Sequence, residues 1–295
     1  MPKTENSQWY VEQVAAGEVH GHALTATLIQ GRSPFQEYAI VVSPLFGKML
    51  VLDGDTQSAA LDEHIYHELL VHPACAARGD VKRALILGGA EGASLRELLK
   101  VPALVKATMV DIDGDVVAAC RQHLPEWSDG AFDDPRSELI VGDAKAYIEK
   151  STERFDIIVG DLTEPLDDSP SFGLHTASFY RKIRERLAPG GFYALQASMA
   201  GPHNHATHAR MVATLRAAFP SVAPYSMYVP AFDTEWGYAL CGDDVDALSE
   251  KSASAADAHA KTCRLRQYDA QTHRRAFNLP RYLRDAYTNE KRVFD

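Results

Sequence analysis

The chain opens with short apolar runs that turn-forming residues separate. Glycine, proline, serine and aspartate cluster between the runs, as they do between antiparallel strands. The runs are rich in β-branched and apolar residues and cover residues 25–29, 38–42 and 48–52. This pattern predicts a small antiparallel β domain over residues 1–60.

The spacing of apolar residues then changes to that of a helix. Leu61 to Val71 has apolar residues three and four positions apart, and Pro73 is expected to end this helix soon afterwards. Beyond residue 81, short apolar runs alternate with amphipathic segments such as 178–187 and 205–219. The predicted strands are Ala84–Leu87, Ala107–Val110, Glu138–Val141, Phe155–Val159, Phe192–Gln196 and Trp236–Cys241.

Alternation of strands and helices is typical of an α/β fold, in which helices cover both faces of a parallel sheet. We therefore predict an α/β catalytic domain over residues 61–245. Residues 244–258 are rich in Asp, Ser and Ala and are expected to form a poorly constrained connection. The remaining C-terminal extension, 246–295, shows no periodicity that places its elements.

Composition restricts the classes of function. The 295 residues carry a net charge of −10, which argues against nucleic-acid and anionic-membrane partners and is compatible with a cationic substrate. No apolar run is long enough to span a bilayer and no apolar leader is present, so a cytoplasmic protein is expected. The four cysteines are scattered and are expected to be reduced thiols, with neither a disulfide framework nor a zinc site.

A glycine-rich turn is the strongest chemical signal. The apolar run 85–87 ends in Gly88-Gly89-Ala90-Glu91-Gly92, a helical pattern follows, and a second apolar run ends about twenty residues later in Asp111. This spacing is typical of a nucleoside site, in which the loop approaches the ligand and the acid binds ribose hydroxyls. Glu91 would repel a phosphate, so an adenosyl sulfonium fits better than a dinucleotide.

Five acids fall at the predicted carboxyl ends of the parallel strands, where ligands bind in open α/β sheets. We call them the acidic rim: Glu91, Asp111, Asp113, Asp143 and Asp161. Some of them could simply cap helices. As a set they predict a negative pocket for an amine, with Asp161 placed to accept its proton and Glu164 to hold a second nitrogen.

Together these motifs closely resemble the spermidine synthase (aminopropyltransferase) family, over about residues 9–290. The segment 52–57 and the following Asp-Glu-His-Ile-Tyr-His-Glu at 62–68 match its signature. The glycine-rich loop, Asp111-Ile112-Asp113, Gly142-Asp143-Ala144, the Asp161 loop and Trp236-Gly237-Tyr238-Ala239 follow in the family's order.

The resemblance implies a Rossmann-like, methyltransferase-type domain with a small N-terminal antiparallel β domain, assembled as a homodimer or homotetramer. It implies transfer of an aminopropyl group from decarboxylated S-adenosylmethionine to an amine, with methylthioadenosine as product and no metal. It assigns Asp161 and Tyr66 to catalysis. It assigns the donor to Gln36, Gly88, Glu91, Asp111, Ile112, Asp143 and Ala144, and the acceptor to Gln57, Tyr66, His67, Glu164, Gln196, Phe232, Asp233, Glu235 and Trp236.

Departures from typical spermidine synthases concern the acceptor. The loop ends in Ala-Glu-Gly in place of Gly-Asp-Gly, and Asp161-Leu-Thr-Glu-Pro and Pro230-Ala-Phe-Asp replace the usual segments. These features, and the tail segment 265–269, look like the thermospermine synthase branch, which uses spermidine. Phe232 lacks a hydroxyl that would fix a short diamine, and Asp233 and Glu235 add charge, so a triamine acceptor is favoured. Putrescine and agmatine stay open as acceptors, as does the nitrogen attacked.

Two other functions remain as alternatives. A methyltransferase would share the nucleoside site, but the carboxylate of intact S-adenosylmethionine would face Glu91 and Asp161. A non-catalytic polyamine-binding protein would not need both Asp161 and Tyr66. The histidines at 203, 205 and 208 resemble metal-ligand spacing but are expected to be solvated or to begin a helix. His64, His67 and His72 are expected to pack and hydrogen-bond along the signature helix.

Overall fold

The computed structural model describes residues 8–15, 17–165 and 171–295. Its N-terminal part is all β, as the sequence pattern predicts. A hairpin not recognised in the sequence comes first, and a four-stranded antiparallel sheet follows it. The hairpin strands are β1 (Gln8–Ala15) and β2 (Glu18–Leu24). The sheet contains β3 (Ala26–Arg32), β4 (Glu37–Ser43), β5 (Gly47–Leu52) and β6 (Asp55–Ala59).

A seven-stranded sheet forms the second part, in the order β12-β13-β11-β10-β7-β8-β9. Strands β11, β10, β7, β8 and β9 are parallel, which confirms the predicted α/β class. Alternate residues of β7 pack on opposite faces, so both faces are buried. The strands are β7 (Arg83–Gly88), β8 (Lys106–Asp111), β9 (Ser137–Val141), β10 (Phe155–Asp161), β11 (Leu187–Met199), β12 (Ser221–Val229) and β13 (Thr234–Gly242).

One edge of this sheet is antiparallel, which the alternating pattern does not predict. Strand β13, expected as Trp236–Cys241, pairs antiparallel with both β11 and β12. The short turn 230–233 joins β12 to β13, and two strands joined so tightly can only run antiparallel. Strand β12 contains Pro224, which is tolerated because the strand lies at the sheet edge.

Helices cover both faces of the sheet. The first continues through Pro73 to Arg78, so the expected stop near Pro73 is wrong; Leu69, Leu70 and Cys75 are fully buried, and core packing outweighs the hydrogen bond lost at the proline. The helices are α1 (Glu63–Arg78), α2 (Ala93–Leu99), α3 (Gly114–His123), α4 (Pro125–Ser128), α5 (Ala144–Lys150), α6 (Ala177–Arg186), α7 (Ala206–Arg216), α8 (Glu250–Cys263), α9 (Ala270–Phe277) and α10 (Arg281–Asn289).

The segment 244–258, expected to be a loose connection, contains most of α8. Ser249 caps this helix by accepting a hydrogen bond from the Ser252 backbone N–H, and Ala253, Ala256 and Ala260 form a buried stripe. Alanine has high helix propensity, and its small side chain lets α8 pack closely on α1. In the parts of the chain that the structure describes, no helix is both long and apolar enough to cross a membrane.

Candidate active site

The carboxyl ends of four parallel strands bring the acidic rim together. Asp161 at the end of β10 pairs with Gly88 at the end of β7, and Asp111 at the end of β8 pairs with Val141 of β9. Asp161 and Asp111 are close enough to influence each other electrostatically. The site therefore lies outside the carboxyl edge of the sheet, as predicted for an α/β fold.

Glycines are required where the loop after β7 meets the Asp161 loop. A Cβ on Gly88 would lie 2.1 Å from the Asp161 carbonyl oxygen, and the φ of +83° also favours glycine. The Gly89 N–H donates to that carbonyl at 3.0 Å. Gly88 thus sets the approach of the two loops, which fixes the position of the Asp161 side chain.

Asp161 is a half-buried carboxylate with neutral partners. The Tyr66 hydroxyl of α1 donates to its Oδ1 at 2.9 Å, and the Ser94 hydroxyl of α2 donates to its Oδ2 at 2.6 Å. Burial and the nearby Asp161 raise the pKa of Tyr66 well above its usual value, so this hydroxyl keeps its proton. Both hydroxyls are neutral donors, so they hold the Asp161 carboxylate in a fixed orientation without bringing a positive charge to it.

A cluster of aromatic side chains packs against Tyr66, the residue whose hydroxyl donates to Asp161. Phe232 and Tyr238 contact the Tyr66 ring, with centroids 6.1 and 5.8 Å away, and Trp236 packs on Phe232 at 4.7 Å. Among the described residues, the buried Trp236 Nε1–H and Tyr238 hydroxyl find no hydrogen-bond partner. Phe232 and Trp236, predicted for the acceptor, are thus next to the candidate base.

Glu91, by contrast, is neutralised by the protein itself. The buried His67 ring bridges two carboxylates, with Nε2 2.7 Å from Glu91 and Nδ1 3.0 Å from Glu63. Burial disfavours a charged imidazole, but hydrogen bonds to Glu63 and Glu91 prevail and raise the pKa of His67 to about 10. Ser58 donates to the other oxygen of Glu91, and Arg96 pairs with Glu63 at 2.8 Å.

This buried network changes two assignments. His67 is 1 % exposed and holds Glu91, which makes it a positioning group and leaves it no free atom for substrate. Glu91 has a cation on one oxygen and a hydroxyl on the other, whereas the contacts described for Asp161 are with two neutral hydroxyls. The signature helix already contains Glu63 and His67. The spacing of residues could not show that Ser58 contacts Glu91 or that Arg96 pairs with Glu63.

Asp111 and Ile112 form the second half of the site. Asp111 is 8 % exposed and accepts from the Asp113 N–H at 2.8 Å. Burial, together with repulsion from Asp113 and Asp161, raises the pKa of Asp111 to about 6. Ile112, the next residue along the chain, is 38 % exposed. An acceptor for hydroxyls next to an open apolar surface suits a nucleoside.

The remaining two rim acids are helix caps. Asp113 accepts from the N–H groups of Asp115 and Val116 and begins α3. Its other oxygen accepts from Ser33 at 2.6 Å and from the Gln36 side chain at 2.8 Å, which ties the N-terminal sheet to the catalytic domain. Asp143 is exposed and caps α5, which begins at the buried Ala144. Helix capping therefore accounts for the positions of Asp113 and Asp143.

Two predicted acceptor residues, Gln196 and Glu164, lie at the Asp161 loop, and a third, Gln57, lies on β6. The buried Gln196 side chain donates to the Leu162 carbonyl and accepts from the Ser198 N–H, so it holds the loop in place. Ser198 donates to Glu164, and burial raises the pKa of that carboxyl. Gln57 is half-buried on β6, where its amide donates to the Asp55 carbonyl at 3.1 Å.

A second acidic group, not recognised in the sequence, lies near Glu164. Glu12 of β1 is 7 % exposed, and Asp55 begins β6. Burial and repulsion from Glu12 and Glu164 raise the pKa of Asp55 to about 6. We call Glu12, Asp55 and Glu164 the distal acids. The β1–β2 hairpin was not predicted, so nothing in the sequence could place Glu12 there.

Asp233 and Glu235 do not join the site, which corrects their predicted role. Asp233 lies at the surface, where Tyr228 donates to it. Glu235 pairs with Arg275 and is neutralised. Side chains alternate along β13, so residues 236 and 238 face Tyr66 whereas 235 points to the other side.

The histidines 203, 205 and 208 are not brought together as a metal site by the structure. His203 lies 3.3 Å from Glu18, and His205 contacts the Gly201 carbonyl at the start of α7. His208 is fully buried between the Ala197 carbonyl and the Tyr287 hydroxyl, so the expectation of a solvated side chain is wrong there.

Comparisons with known proteins agree with this geometry. Residues 63–251 match the family model described as a spermine/spermidine synthase domain, and residues 8–59 match a spermidine synthase tetramerisation domain. The polyamine aminopropyltransferase of Sulfolobus acidocaldarius is 40% identical over 287 residues, covering 97% of this chain and 95% of the relative. That of Aeropyrum pernix is 39% identical over 289 residues, covering 96% and 92%.

Solved structures show the same fold over the whole chain. A spermidine synthase in complex with the transition state analogue AdoDATO has a TM-score of 0.89 at 25% identity, with 98% of this chain and 97% of that chain covered. Spermidine synthase from Thermotoga maritima has a TM-score of 0.87 at 25% identity and the same coverage. Because both the family models and these long, similar relatives agree, the chain belongs to the spermine/spermidine synthase family.

Proposed function

We propose that the chain transfers the aminopropyl group of decarboxylated S-adenosylmethionine to a polyamine and releases methylthioadenosine. The observation that carries this proposal is Asp161, a charged carboxylate fixed by the neutral hydroxyls of Tyr66 and Ser94. Asp111 and Ile112 lie beside it and suit the nucleoside part of the donor. The relatives' names and the AdoDATO-bound neighbour support the same reaction.

The reaction needs a neutral amine at neutral pH. An alkylamine with a pKa near 10.4 is neutral only about once in 2,500 molecules at pH 7, about 4.6 kcal/mol from its reactive form. Asp161 binds the ammonium and accepts its proton as the nitrogen attacks the aminopropyl carbon. The carbon–sulfur bond breaks, the electron pair stays on sulfur, and a neutral thioether leaves.

The charge around Asp161 also distinguishes the donor. Intact S-adenosylmethionine carries a carboxylate that would face Asp161, and like charges at such distances are unfavourable. Decarboxylation removes this charge and leaves an ammonium to pair with the site. A methyltransferase is therefore the weaker alternative, and a binding protein without catalysis would not need the fixed Tyr66–Asp161 pair.

For the acceptor we propose a triamine, spermidine, with thermospermine or spermine as product. The support is the distal acids, which provide a second negative region for the far end of a longer polyamine. Asp233 and Glu235 give this proposal no support, because Asp233 lies at the surface and Glu235 pairs with Arg275. Putrescine and agmatine remain the alternatives, because a single carboxylate at Asp161 would suffice for the attacking nitrogen of either.

A product assay by mass spectrometry tests both proposals. The purified chain is incubated with decarboxylated S-adenosylmethionine and spermidine, putrescine or agmatine, with intact S-adenosylmethionine as control. We expect one aminopropyl unit to be added to spermidine and methylthioadenosine to be released. Addition to putrescine or agmatine alone would refute the acceptor but keep the reaction, and methyl transfer would refute both.

Replacing one distal acid should affect the longer acceptor selectively. We expect Glu164→Gln to raise the KM for spermidine about tenfold, the value of one charge-assisted hydrogen bond, and to leave the KM for the donor unchanged. Asp233→Asn is the matched control, because that carboxylate lies at the surface. Equal effects of the two variants in steady-state kinetics would refute the role of the distal acids.

Donor binding should weaken in mild acid. Asp111 has a raised pKa of about 6 and must be ionised to accept two ribose hydroxyls, so protonation below that pH removes an acceptor. We expect kcat/KM for the donor to fall about tenfold between pH 7 and pH 5. Asp111→Asn mimics the protonated acid, so kcat/KM of this variant for the donor should not fall between pH 7 and pH 5. The same fall in the variant would show that another group causes it.

We also propose that the chain assembles as a homotetramer, with a homodimer as the alternative. The region that matches the tetramerisation domain includes the β1–β2 hairpin, where Trp9, Val11 and Val19 are each more than half exposed. Large apolar side chains grouped at a surface favour association. Light scattering of the purified protein measures the number of chains directly.

A further inference from the structure

Two histidines and a cysteine meet where α8 packs on α1. His72 of α1 and His259 of α8 are 187 positions apart, yet His72 Nδ1 lies 3.0 Å from His259 Nε2. Cys263 Sγ, one helical turn after His259, lies 3.6 Å from the same His259 nitrogen. All three ligand atoms are within 4.8 Å of one another.

A carboxylate fixes the orientation of the His72 ring through the nitrogen that faces away from His259. His72 Nε2 lies 2.9 Å from Glu97 Oε2, and both side chains are fully buried. Because a carboxylate only accepts, Nε2 carries the proton and Nδ1 points toward His259 and Cys263. A histidine that donates its far N–H to a carboxylate while its other nitrogen faces a metal is a recurrent arrangement in metal sites.

The separations match the edges of a tetrahedron around zinc. With bonds of about 2.0–2.1 Å to nitrogen and about 2.3 Å to sulfur, two nitrogens on one zinc are about 3.3 Å apart and a nitrogen and a sulfur about 3.6 Å. The two distances to His259 Nε2 here are 3.0 and 3.6 Å. The third separation, between His72 Nδ1 and Cys263 Sγ, is at most 4.8 Å, so these two ligand atoms would draw together on a bound zinc.

The surroundings favour a borderline-soft divalent metal over a hard one. Imidazole and thiolate suit Zn²⁺, whereas Mg²⁺ and Ca²⁺ prefer oxygen. Lys100 pairs with Glu97 at 2.7 Å and so helps to hold in place the carboxylate that contacts His72. Cys263 and His72 are buried and His259 is half-buried, so the cluster is reached from solvent on the His259 side.

We propose that His72, His259 and Cys263 form a structural zinc site that joins α8 to α1, with water as the fourth ligand. Binding releases the Cys263 thiol proton to solvent, and the proton between the two imidazoles moves to His259 Nδ1, so both histidines bind as neutral imidazoles. The metal would fasten the C-terminal helix to the helix that carries Tyr66. The site lies outside the proposed reaction, which uses no residue of this cluster.

Metal binding can be measured directly on the full-length chain. The reduced protein is freed of metal with a chelator, dialysed, and titrated with ZnCl2 or CoCl2. We expect one zinc per chain by elemental analysis, a melting temperature that rises with zinc, and a thiolate-to-cobalt charge-transfer band with Co²⁺. The cobalt band reports Cys263 as a ligand in the unmodified protein and does not depend on activity.

Matched variants separate this site from adventitious binding. We expect His259→Ala to weaken zinc binding at least about 100-fold and Glu97→Gln about 10- to 100-fold, and Cys263→Ser to abolish the cobalt band. Cys241→Ser removes another buried thiol and should leave the zinc affinity and the cobalt band unchanged. Absence of the cobalt band, or equal zinc affinity of the unmodified protein and His259→Ala, would overturn the proposal and leave a hydrogen-bonded histidine pair.

Discussion

Asp161→Asn should lower kcat about a thousandfold and leave the fold intact. An asparagine oxygen can still accept from the Tyr66 hydroxyl, and the Ser94 hydroxyl can rotate to accept from the new amide. The amide cannot take a proton from the attacking ammonium, and a positioned base contributes about 10²–10⁴-fold. Methylthioadenosine formation under saturating substrates measures the loss, and the melting temperature shows that the fold persists.

Tyr66→Phe provides a graded comparison at the same site. It removes one hydrogen bond to Asp161 but keeps the ring that packs on Phe232. If this hydrogen bond contributes about 1 kcal/mol to holding Asp161 in its reactive orientation, its loss lowers kcat about five- to tenfold. If Asp161→Asn were no slower than Tyr66→Phe, Asp161 would be a positioning group and the base would lie elsewhere.

His67→Ala should be the most destabilising single substitution in the candidate active site. It would leave Glu91 and Glu63 facing each other without the imidazolium between them. Removal of one partner from a buried ion pair costs about 3–5 kcal/mol, a large part of the about 5–15 kcal/mol that stabilises a typical domain. The free energy of unfolding from denaturant titration, or the melting temperature, measures the change.

The neighbouring His64→Ala is the control, because His64 lies on the same helix but its Nδ1 makes no hydrogen bond in the described part of the chain. The pH dependence gives a second check. The pKa of His67 is raised from 6.5 to about 10, so its stabilising contribution is complete below pH 6.5 and is lost as pH rises through 10. His67→Ala should lack this alkaline loss; an identical loss in both proteins would contradict the network.

The glycine-rich loop and the acids at strand ends were predicted because their causes are local. A strand that ends in Gly88, a helix and an acid twenty residues later define one supersecondary unit. Its parallel neighbours follow from the alternation of strands and helices. The order of apolar runs along the chain therefore predicts that the candidate active site lies at the carboxyl edge of the sheet.

The predictions that failed depend on contacts between distant segments. Pro73 lies inside α1 because the surrounding residues are buried, and the alanine stripe of α8 becomes meaningful only against α1. Glu235 was assigned to the acceptor because it adds negative charge next to the acceptor segment, but the pleat of β13 turns it toward Arg275. The proximity of His72, His259 and Cys263 could not be predicted either, because α1 and α8 lie far apart in the sequence.

The sequence by itself determined the α/β fold, the nucleoside loop and the family, since each rests on periodicity or on a motif within one supersecondary unit. Only the tertiary structure decided what each acid does. Asp113 and Asp143 cap helices, Glu91 is neutralised by His67, and Asp111 and Asp161 are the two acids that we propose bind ligands. The charge available to a substrate depends on which partners surround each carboxylate, and those partners come from α1, α2 and β6.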